Sequence, residues 1–394
     1  DAVADAISYA EDSSKTLLIT TNLKPNRLKE RYDDKYFDSM WDHKVVDYDH
    51  NQFPWYNRIL SVVQEVKPSC KSLGILHESF DRNEIVPLRK KVEQFVRTKE
   101  FSGWVDDYLH HIIRDSMSDY MIQSTPTLNF VLPDQQKHGS LLTFHTGHLT
   151  AYNNGMNTIW TPVSSAYSTN SMQVVSWEDS KKLTNDFVDQ KLSMAEMQRR
   201  CTELSYPVEI RPGHAWLFNQ GHWHGNVNNT TGVTRIGLDI RAMSKGTDYG
   251  YRKPGSYFRF PGDTVEVPKV DTDRRWIVFN DPAGDYIGTM PFYIARSFIE
   301  NYADQLGIKP VGWHNEYTMT DWNPHLEFFM NETEVQGIAL LSMHGLSSPI
   351  NRRMELFESC VDKDIHVLFC DENFLLDSRE GLSYIKKCLE FSSQ

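Results

Sequence analysis

The chain has 394 residues, and a prior of about 150 residues per domain indicates two or three domains. Hydrophobic residues make up 40% and charged residues 24%, so the composition excludes wholesale disorder and fibrous repeats. There are 41 lysines and arginines against 53 aspartates and glutamates, a net charge of −12. No basic run interrupts this acidic background, so we expect no nucleic-acid partner.

The five cysteines are odd in number and scattered, with no C-x-x-C pair, which is typical of reduced thiols in the cytoplasm. No stretch of 18 apolar residues is present, and the first residues lack the basic and apolar regions of a signal peptide. The sequence therefore predicts a cytoplasmic protein with no membrane partner.

Residues 1–120 are predicted to form a helical layer. Apolar residues in this region recur at three and four positions, as in Leu88, Val92 and Val96. This period places the apolar side chains on one helix face, so we expect the layer to pack against the next domain through that face.

A different pattern begins at Pro126, where short segments rich in β-branched and aromatic residues alternate with Gly, Asn, Ser and Pro. The eight predicted strands span residues 127–132, 140–145, 158–163, 172–177, 207–210, 215–219, 222–227 and 234–243. They predict an all-β jelly roll (a double-stranded β-helix, cupin-like) over residues 121–250. A charged insert at 178–204 predicts helices that cover one mouth of this barrel as a lid.

The last third predicts a linker followed by a second domain. Residues 251–273 hold several Gly and Pro without a sustained period, which is typical of a linker. Residues 274–394 alternate predicted strands (276–279, 337–342, 365–370) with predicted helices (291–306, 349–361, 381–391). This alternation indicates a small α/β domain with a parallel sheet.

Histidines in two barrel segments have the spacing of a candidate site. The first segment is LLTFHTGHLT, which contains His145, and the second contains the run QGHWHGN with His222 and His224. Side chains repeat every second residue on a strand, so His145 shares a face with Gly147 while His148 points away. His222 and His224 share a face in the same way.

Polar residues on the last predicted barrel strand mark a second part of this site. Arg235, Gly237, Asp239 and Arg241 alternate with the apolar Ile236, Leu238 and Ile240. We expect the apolar side to pack on the helical layer, which leaves the polar side facing the barrel interior. A buried arginine requires an anion, so an anionic ligand is predicted there.

These segments resemble the jelly-roll Fe(II)/2-oxoglutarate-dependent oxygenases, and within them the phytanoyl-CoA-hydroxylase-like, StrG-like branch of carbohydrate gene clusters. The resemblance covers about residues 120–243 and lies in FHTG, WTPVSSAYSTNSM and HGNVNNTTGVTRIGLDIR. It implies that Fe(II), 2-oxoglutarate and O2 are used, with His145 and His224 as metal ligands. It also implies that Arg235 binds the far carboxylate of 2-oxoglutarate.

Gly147 departs from the family pattern, which has Asp or Glu two residues after the first histidine. Halogenases of the family have Gly or Ala there, so the first interpretation is halogenation, with chloride or bromide at an open position beside Gly147. The second is a hydroxylase or related oxygenase completed by another carboxylate or by water. The third is a natural or engineered substitution that impairs catalysis, and a non-catalytic sugar-binding or scaffold module is also considered.

Neighbouring residues extend the candidate site. Asn157 and Trp160 are predicted to help bind 2-oxoglutarate. His222 and Arg241 are predicted to contact the metal ligands, and His222 is considered as an alternative ligand. The resemblance points to biosynthetic oxidation of a polar small molecule such as a sugar, an aminocyclitol or a nucleotide-linked metabolite. A homodimer is a further expectation.

The C-terminal domain resembles a small domain of sporadic carbohydrate clusters, with faint similarity to the catalytic domain of serine recombinases. The similarity lies in EVQGIALLSM and SSPINRRMELFESCVDKDIHVLFCDENF. Recombination requires a nucleophilic serine and a basic DNA surface, and neither is evident in this segment. Its role is left open by the sequence.

Overall fold

The structure is a computed structural model that describes residues 43–113, 117, 119–134, 142–147, 156–245, 253–263, 267–282, 284, 292–317 and 320–392. The first 42 residues of the predicted helical layer, His148 and the start of the predicted 140–145 strand lie outside the described residues. All five cysteines are buried free thiols. None of the described helices is long and apolar enough to cross a membrane.

Four helices form the predicted helical layer: α1 (Trp55–Val66), α2 (Leu76–Ser79), α3 (Arg82–Val96) and α4 (Lys99–Ile113). Helix α3 begins where the Asp81 backbone N–H donates to the Glu84 carboxylate at 2.7 Å, which satisfies an unpaired donor at the helix start. Apolar residues at helical spacing, such as Val92, lie in one buried cluster with Leu238 and Ile240. The layer therefore packs on one face of a β-sheet, as the period predicts.

The region predicted to form the barrel, together with the strands that pair with it, is called the barrel region below and contains ten strands among the described residues. They are β1 (His43–Asp47), β2 (Tyr120–Gln123), β3 (Thr127–Val131), β4 (Met156–Pro162), β5 (Gln173–Val174), β6 (Tyr206–Pro207), β7 (His214–Asn219), β8 (His224–Gly225), β9 (Arg235–Ser244) and β10 (Phe258–Arg259).

The large antiparallel sheet has the order β1-β7-β4-β9-β2-β10, and β3 also pairs with β9. Strand β1 lies inside the segment predicted to be helical, so that prediction is wrong at 43–47. It was missed because it is short, and its pairing with β7 is set by a partner about 170 residues away in sequence.

A smaller antiparallel sheet, β6-β5-β8, covers the other side of the interior. His145 joins this sheet through a single bridge to His224. Trp160, Trp216 and Phe218 of the large sheet share a buried cluster with Val174 and Val208 on the smaller sheet side. The two sheets thus enclose an aromatic interior.

The charged insert forms α5 (Trp177–Gln190) and α6 (Met194–Leu204), which lie behind the smaller sheet. The Gln198 carboxamide accepts from Phe144 N at 2.8 Å and donates to Phe144 O at 2.7 Å. The Trp223 indole N–H donates to Thr184 Oγ1 at 3.0 Å. Phe144 and Trp223 immediately precede His145 and His224, so the insert supports the histidine-bearing backbone from outside instead of forming the expected lid.

The predicted linker at 251–273 is partly integrated into the fold. Strand β10 pairs with β2, and Arg259 forms a buried ion pair with Asp106 of α4, with Nη2 to Oδ1 at 2.6 Å. The Gly and Pro content predicts a linker without fixed contacts, but the Phe258 and Arg259 side chains are both buried against other elements. This segment therefore joins the barrel to the helical layer.

The C-terminal region contains strands β11 to β15 and helices α7 to α10. In chain order these are β11 (Trp276–Asn280), α7 (Phe292–Gln305), β12 (Gly312–Asn315), α8 (Pro324–Glu332), β13 (Gly337–Leu340), α9 (Ile350–Asp362), β14 (His366–Phe369), β15 (Phe374–Leu376) and α10 (Arg379–Ser392).

The C-terminal sheet has the order β12-β11-β13-β14-β15, in which only the β14–β15 pairing is antiparallel. Met121, Met156 and Met243 from the barrel share one buried cluster with Phe279 and Ile338 of this sheet. The two regions are therefore joined by a common apolar core.

Candidate metal centre

His145 and His224 lie side by side because their backbones pair directly. His145 N donates to His224 O at 2.9 Å, and His224 N donates to His145 O at 3.0 Å. Residues paired in this way on antiparallel strands project their side chains to the same side of the sheet. The two imidazole centroids are 4.5 Å apart. The structure thus brings together two histidines that are separated by 79 positions in the sequence.

Both imidazoles are fixed in the same tautomer. Nδ1 of His145 lies 2.9 Å from Thr143 O, and Nδ1 of His224 lies 2.8 Å from His222 O. A carbonyl oxygen only accepts, so each neutral ring carries its hydrogen on Nδ1 and leaves a lone pair on Nε2. A backbone carbonyl that orients the far nitrogen is the usual support for a histidine that ligates a metal.

The surroundings keep both rings neutral. Burial lowers the pKa of His145, and the positive charge of Arg241 lowers it further. Burial also lowers the pKa of His224 well below its usual value, with added contributions from His145, His222 and Arg241. Metal binding requires the neutral imidazole, so little proton release is needed before a cation is bound.

No third protein ligand of the usual kind completes this pair. Within the described parts of the chain, no group of three or more His, Cys, Asp or Glu side chains is placed to hold a metal ion. Gly147 is buried, and its N–H donates to Gln220 O at 2.9 Å. The donor set from charged or imidazole side chains is therefore the two histidines.

Arg235 lies on β9 in the interior and is 2% exposed. Its Nε donates to Asn170 O at 3.1 Å, and its Nη2 donates to Asn226 Oδ1 at 2.8 Å. Burial lowers the pKa of Arg235 to about 10, which leaves the guanidinium charged at neutral pH. Both of these hydrogen-bond partners are neutral, so they orient the guanidinium without cancelling its charge.

Arg235 and Trp160 form a cradle above Gly237. The guanidinium carbon lies 5.4 Å from the Trp160 ring centroid. A Cβ added at Gly237 would lie 2.7 Å from Trp160 Nε1 and 3.0 Å from Arg235 Nη1. Only a glycine at position 237 lets Trp160 and Arg235 pack this closely against the β9 backbone, and together they present two N–H donors that suit one carboxylate of a diacid.

Asp239 and Arg241 continue the polar face of β9. Burial raises the pKa of the Asp239 carboxyl, whereas the charges of Arg241 and Arg235 oppose that rise. Arg241 donates from Nη1 to Gln123 Oε1 at 3.0 Å and to Tyr257 OH at 3.1 Å. With two guanidinium groups against one carboxylate, the interior carries a net positive charge that favours an anionic cosubstrate.

Of the other two residues predicted on β4, Trp160 and Asn157, one faces the interior and the other faces the helical layer. Trp160 faces the interior, but Asn157 is three positions away on β4 and shares the opposite face with Ile159 and Thr161. Thr161 bonds Tyr108 of the helical layer, with the two hydroxyl oxygens 2.6 Å apart. Strand alternation thus places Asn157 on the face of β4 opposite Trp160, and its role in binding the cosubstrate stays a prediction.

His222 acts on the pair through its backbone. Its carbonyl oxygen accepts from His224 Nδ1, while its own ring donates from Nδ1 to Val175 O at 3.0 Å. The ring lies against Trp177, with centroids 5.1 Å apart. His222 therefore contacts the His224 ring through its backbone carbonyl.

Sequence reasoning missed Asn226 and Gln220. Asn226 lies two residues after His224, so the period of a strand could have placed it on the same side as the histidine. Gln220 is brought to Gly147 by the turn after β7, across 73 positions, and no local pattern signals that approach.

No protein-family model matches the sequence, and no curated protein matches it. Among solved structures, ThoJ, a non-heme monooxygenase in complex with nickel, is 12% identical, with a TM-score of 0.31 over 56% of this chain and 79% of that chain. HygX from Streptomyces hygroscopicus, with nickel and 2-oxoglutarate bound, is 15% identical, with a TM-score of 0.30 over 55% and 87%.

A third solved structure overlaps a smaller part of the chain. The N-terminal catalytic domain of TP901-1 integrase is 11% identical, with a TM-score of 0.26 over 30% of this chain and 95% of that domain. TM-scores of this size establish neither a shared fold nor a shared activity.

Proposed function

We propose that this protein is a non-haem Fe(II)/2-oxoglutarate-dependent oxidoreductase that functionalises an aliphatic C–H bond of a polar small molecule. The observation that carries the proposal is the pair of neutral imidazoles, 4.5 Å apart, whose Nδ1 atoms are both held by backbone carbonyls. Imidazole nitrogen suits Fe(II), and the remaining positions on such a metal are open to a chelating cosubstrate.

Different residues of the chain would bind the metal and the cosubstrate. His145 and His224 would hold Fe(II) through Nε2, while Arg235 and Trp160 would bind the far carboxylate of 2-oxoglutarate above Gly237. When bound, Fe(II) and 2-oxoglutarate supply the O2-dependent oxidation that yields succinate and CO2.

The remaining interior residues would orient the substrate and exclude water. Trp216 and Phe218 stack with centroids 4.2 Å apart, and Phe218 lies 5.1 Å from the His224 ring. Asp239 and Arg241 present hydrogen-bonding groups on β9 of the same sheet. This mixture of charged and aromatic groups suits a sugar, an aminocyclitol or a nucleotide-linked metabolite better than an apolar substrate. We propose that this site lies inside a jelly-roll barrel. We also propose that the enzyme is cytoplasmic and forms a homodimer.

Between the two reactions, we propose oxygenation as the first candidate and halogenation as the second. Halogenation is favoured by Gly147, which offers no carboxylate. It is opposed by the space beside Gly147, which holds the Gln220 side chain. A halide needs that space, so oxygenation accounts better for the geometry.

An anaerobic titration tests the function. Adding Fe(II) and 2-oxoglutarate to the purified full chain is expected to produce the weak visible charge-transfer band of the chelate. His145→Ala and His224→Ala should remove the band, whereas His214→Ala, on the β7 end away from the pair, should retain it. A full-strength band in both of the first two variants, or no band in the wild type, would refute the proposal.

A further inference from the structure

The carboxamide of Gln220 occupies the position that a side chain at residue 147 would need. A Cβ added at Gly147 would lie 2.0 Å from Gln220 Oε1 and 2.8 Å from both Cβ and Cδ of Gln220. In an aspartate, a carboxyl oxygen lies about 2.4 Å from its own Cβ, by ordinary bond lengths and angles. Gln220 Oε1 therefore lies at about the distance from this Cβ position at which the carboxyl oxygen of an aspartate would stand.

Gln220 is buried and is held beside Gly147 by its backbone as well. The residue is 2% exposed, and its backbone carbonyl accepts from Gly147 N at 2.9 Å. The approach of the Gln220 side chain to position 147 is therefore set by the turn that carries it.

The surroundings of Gln220 point to a cation. Gly147 is two residues after His145, and Gln220 is four residues before His224, so the Gly147–Gln220 backbone bond joins the same two segments that the His145–His224 backbone pair joins. Carbonyl oxygens are suitable donors to divalent cations such as Mn²⁺ and complement two imidazoles.

We propose that Gln220 Oε1 is the third protein donor to the metal held by His145 and His224, in place of a carboxylate at position 147. The proposal rests on the proposed function and specifies its metal site. A neutral amide leaves the full 2+ charge of the metal, which favours the dianionic cosubstrate and weakens retention of the metal itself. It also removes the open position that a halide requires, so the reaction is an oxygenation.

The test measures binding of Mn²⁺ alone to the full chain, from the electron paramagnetic resonance signal of the free ion. Gln220→Met keeps the length and volume of the side chain but removes the oxygen, so its Kd should rise at least tenfold. Gln220→Glu restores an oxygen with a charge and should bind Mn²⁺ at least as tightly as the wild type. Gln64→Ala, in the helical layer, is the matched glutamine control and should bind normally.

A Co²⁺ absorption spectrum provides a second readout that does not depend on activity. The Gln220→Met spectrum should differ from the wild-type spectrum, because loss of the oxygen donor changes the ligand field of the metal, and the Gln64→Ala spectrum should match the wild type. Wild-type Kd and a wild-type Co²⁺ spectrum in Gln220→Met would overturn the proposal. If Gln220→Met does not fold, Gln220→Glu decides: weaker Mn²⁺ binding in that variant would overturn it.

These outcomes are distinguishable from failure of the proposed function. If the wild type does not bind Mn²⁺, or if His224→Ala binds it equally well, the histidine site itself is wrong. If the histidine variants lose Mn²⁺ and Gln220→Met does not, the function survives and only the role of Gln220 is refuted.

Discussion

Replacing Gly237 with alanine should block cosubstrate binding by adding one methyl group. The new Cβ would lie 2.7 Å from Trp160 Nε1 and 3.0 Å from Arg235 Nη1, closer than ordinary van der Waals contact. Trp160 is 1% exposed and Arg235 is 2% exposed, so neither side chain can retreat without disturbing the packed interior. We expect Gly237→Ala to lose about 1–3 kcal/mol of stability through overpacking.

The loss of affinity for 2-oxoglutarate follows from the same geometry. A hydrogen bond to a charged group contributes about 1.5–3 kcal/mol, so excluding the carboxylate from even one of the two donors should weaken binding by about 10- to 150-fold. Isothermal titration of the Mn²⁺-loaded protein with 2-oxoglutarate measures this change, and Mn²⁺ affinity should be unaffected because the histidines lie elsewhere.

Gly103→Ala is the matched control for this substitution. A Cβ at Gly103 meets nothing within 4 Å, and the residue lies inside α4, so alanine should stabilise the protein by up to about 1 kcal/mol. Its affinity for 2-oxoglutarate should equal that of the wild type. A Gly237→Ala protein that binds 2-oxoglutarate within twofold of the wild type would show that the cradle is not the carboxylate site.

Three further predictions concern the framework. Asp106→Ala leaves Arg259 buried without its carboxylate and should cost about 3–5 kcal/mol in urea unfolding; a loss below about 1 kcal/mol would contradict this account. Burial raises the pKa of Glu372 well above its usual value, so its protonated form is the stable one in the fold. In the unfolded chain this carboxyl has a pKa of about 4.3, so the wild type loses stability as the pH rises above that value, by up to about 1.4 kcal/mol per pH unit. Glu372→Gln cannot ionise and therefore retains that stability. Unfolding curves from pH 5 to pH 8 should show the variant gaining relative stability, and a constant difference would refute the assignment. Gln198→Ala removes both hydrogen bonds to the Phe144 backbone and should weaken Mn²⁺ binding about tenfold, since supporting contacts typically matter by that factor. Unchanged binding would show that the insert does not position the metal ligands.

Local patterns in the chain accounted for much of the scaffold. The period of three to four residues predicted the helices around Val92, and β-branched segments predicted strands at β3, β4, β7 and β9. These elements are each stabilised by side chains close in sequence, so the pattern is visible without a structure. The alternation on β9 also placed Arg235 and Asp239 on one face and Leu238 on the other.

Errors occurred where pairing partners are distant. Strand β1 requires β7, and β10 requires β2, so neither short segment carries a strong signal of its own. The charged insert has helical periodicity, which predicted its helices, but only the contacts of Gln198 and Thr184 show that it lies behind the histidine-bearing strands. Backbone register and packing direction depend on the whole sheet, which local propensity does not describe.

The candidate centre divides in the same way. Spacing pointed to the histidine segments, the family resemblance selected His145, His224 and Arg235 within them, and the missing side chain of Gly147 was evident from its identity alone. Whether the space beside Gly147 is empty depends on the turn after β7, which places Gln220 Oε1 2.0 Å from where a Cβ at position 147 would lie. Periodicity reports which residues share a face of their own element, whereas the filling of a cavity is set by contacts between elements that are remote in sequence.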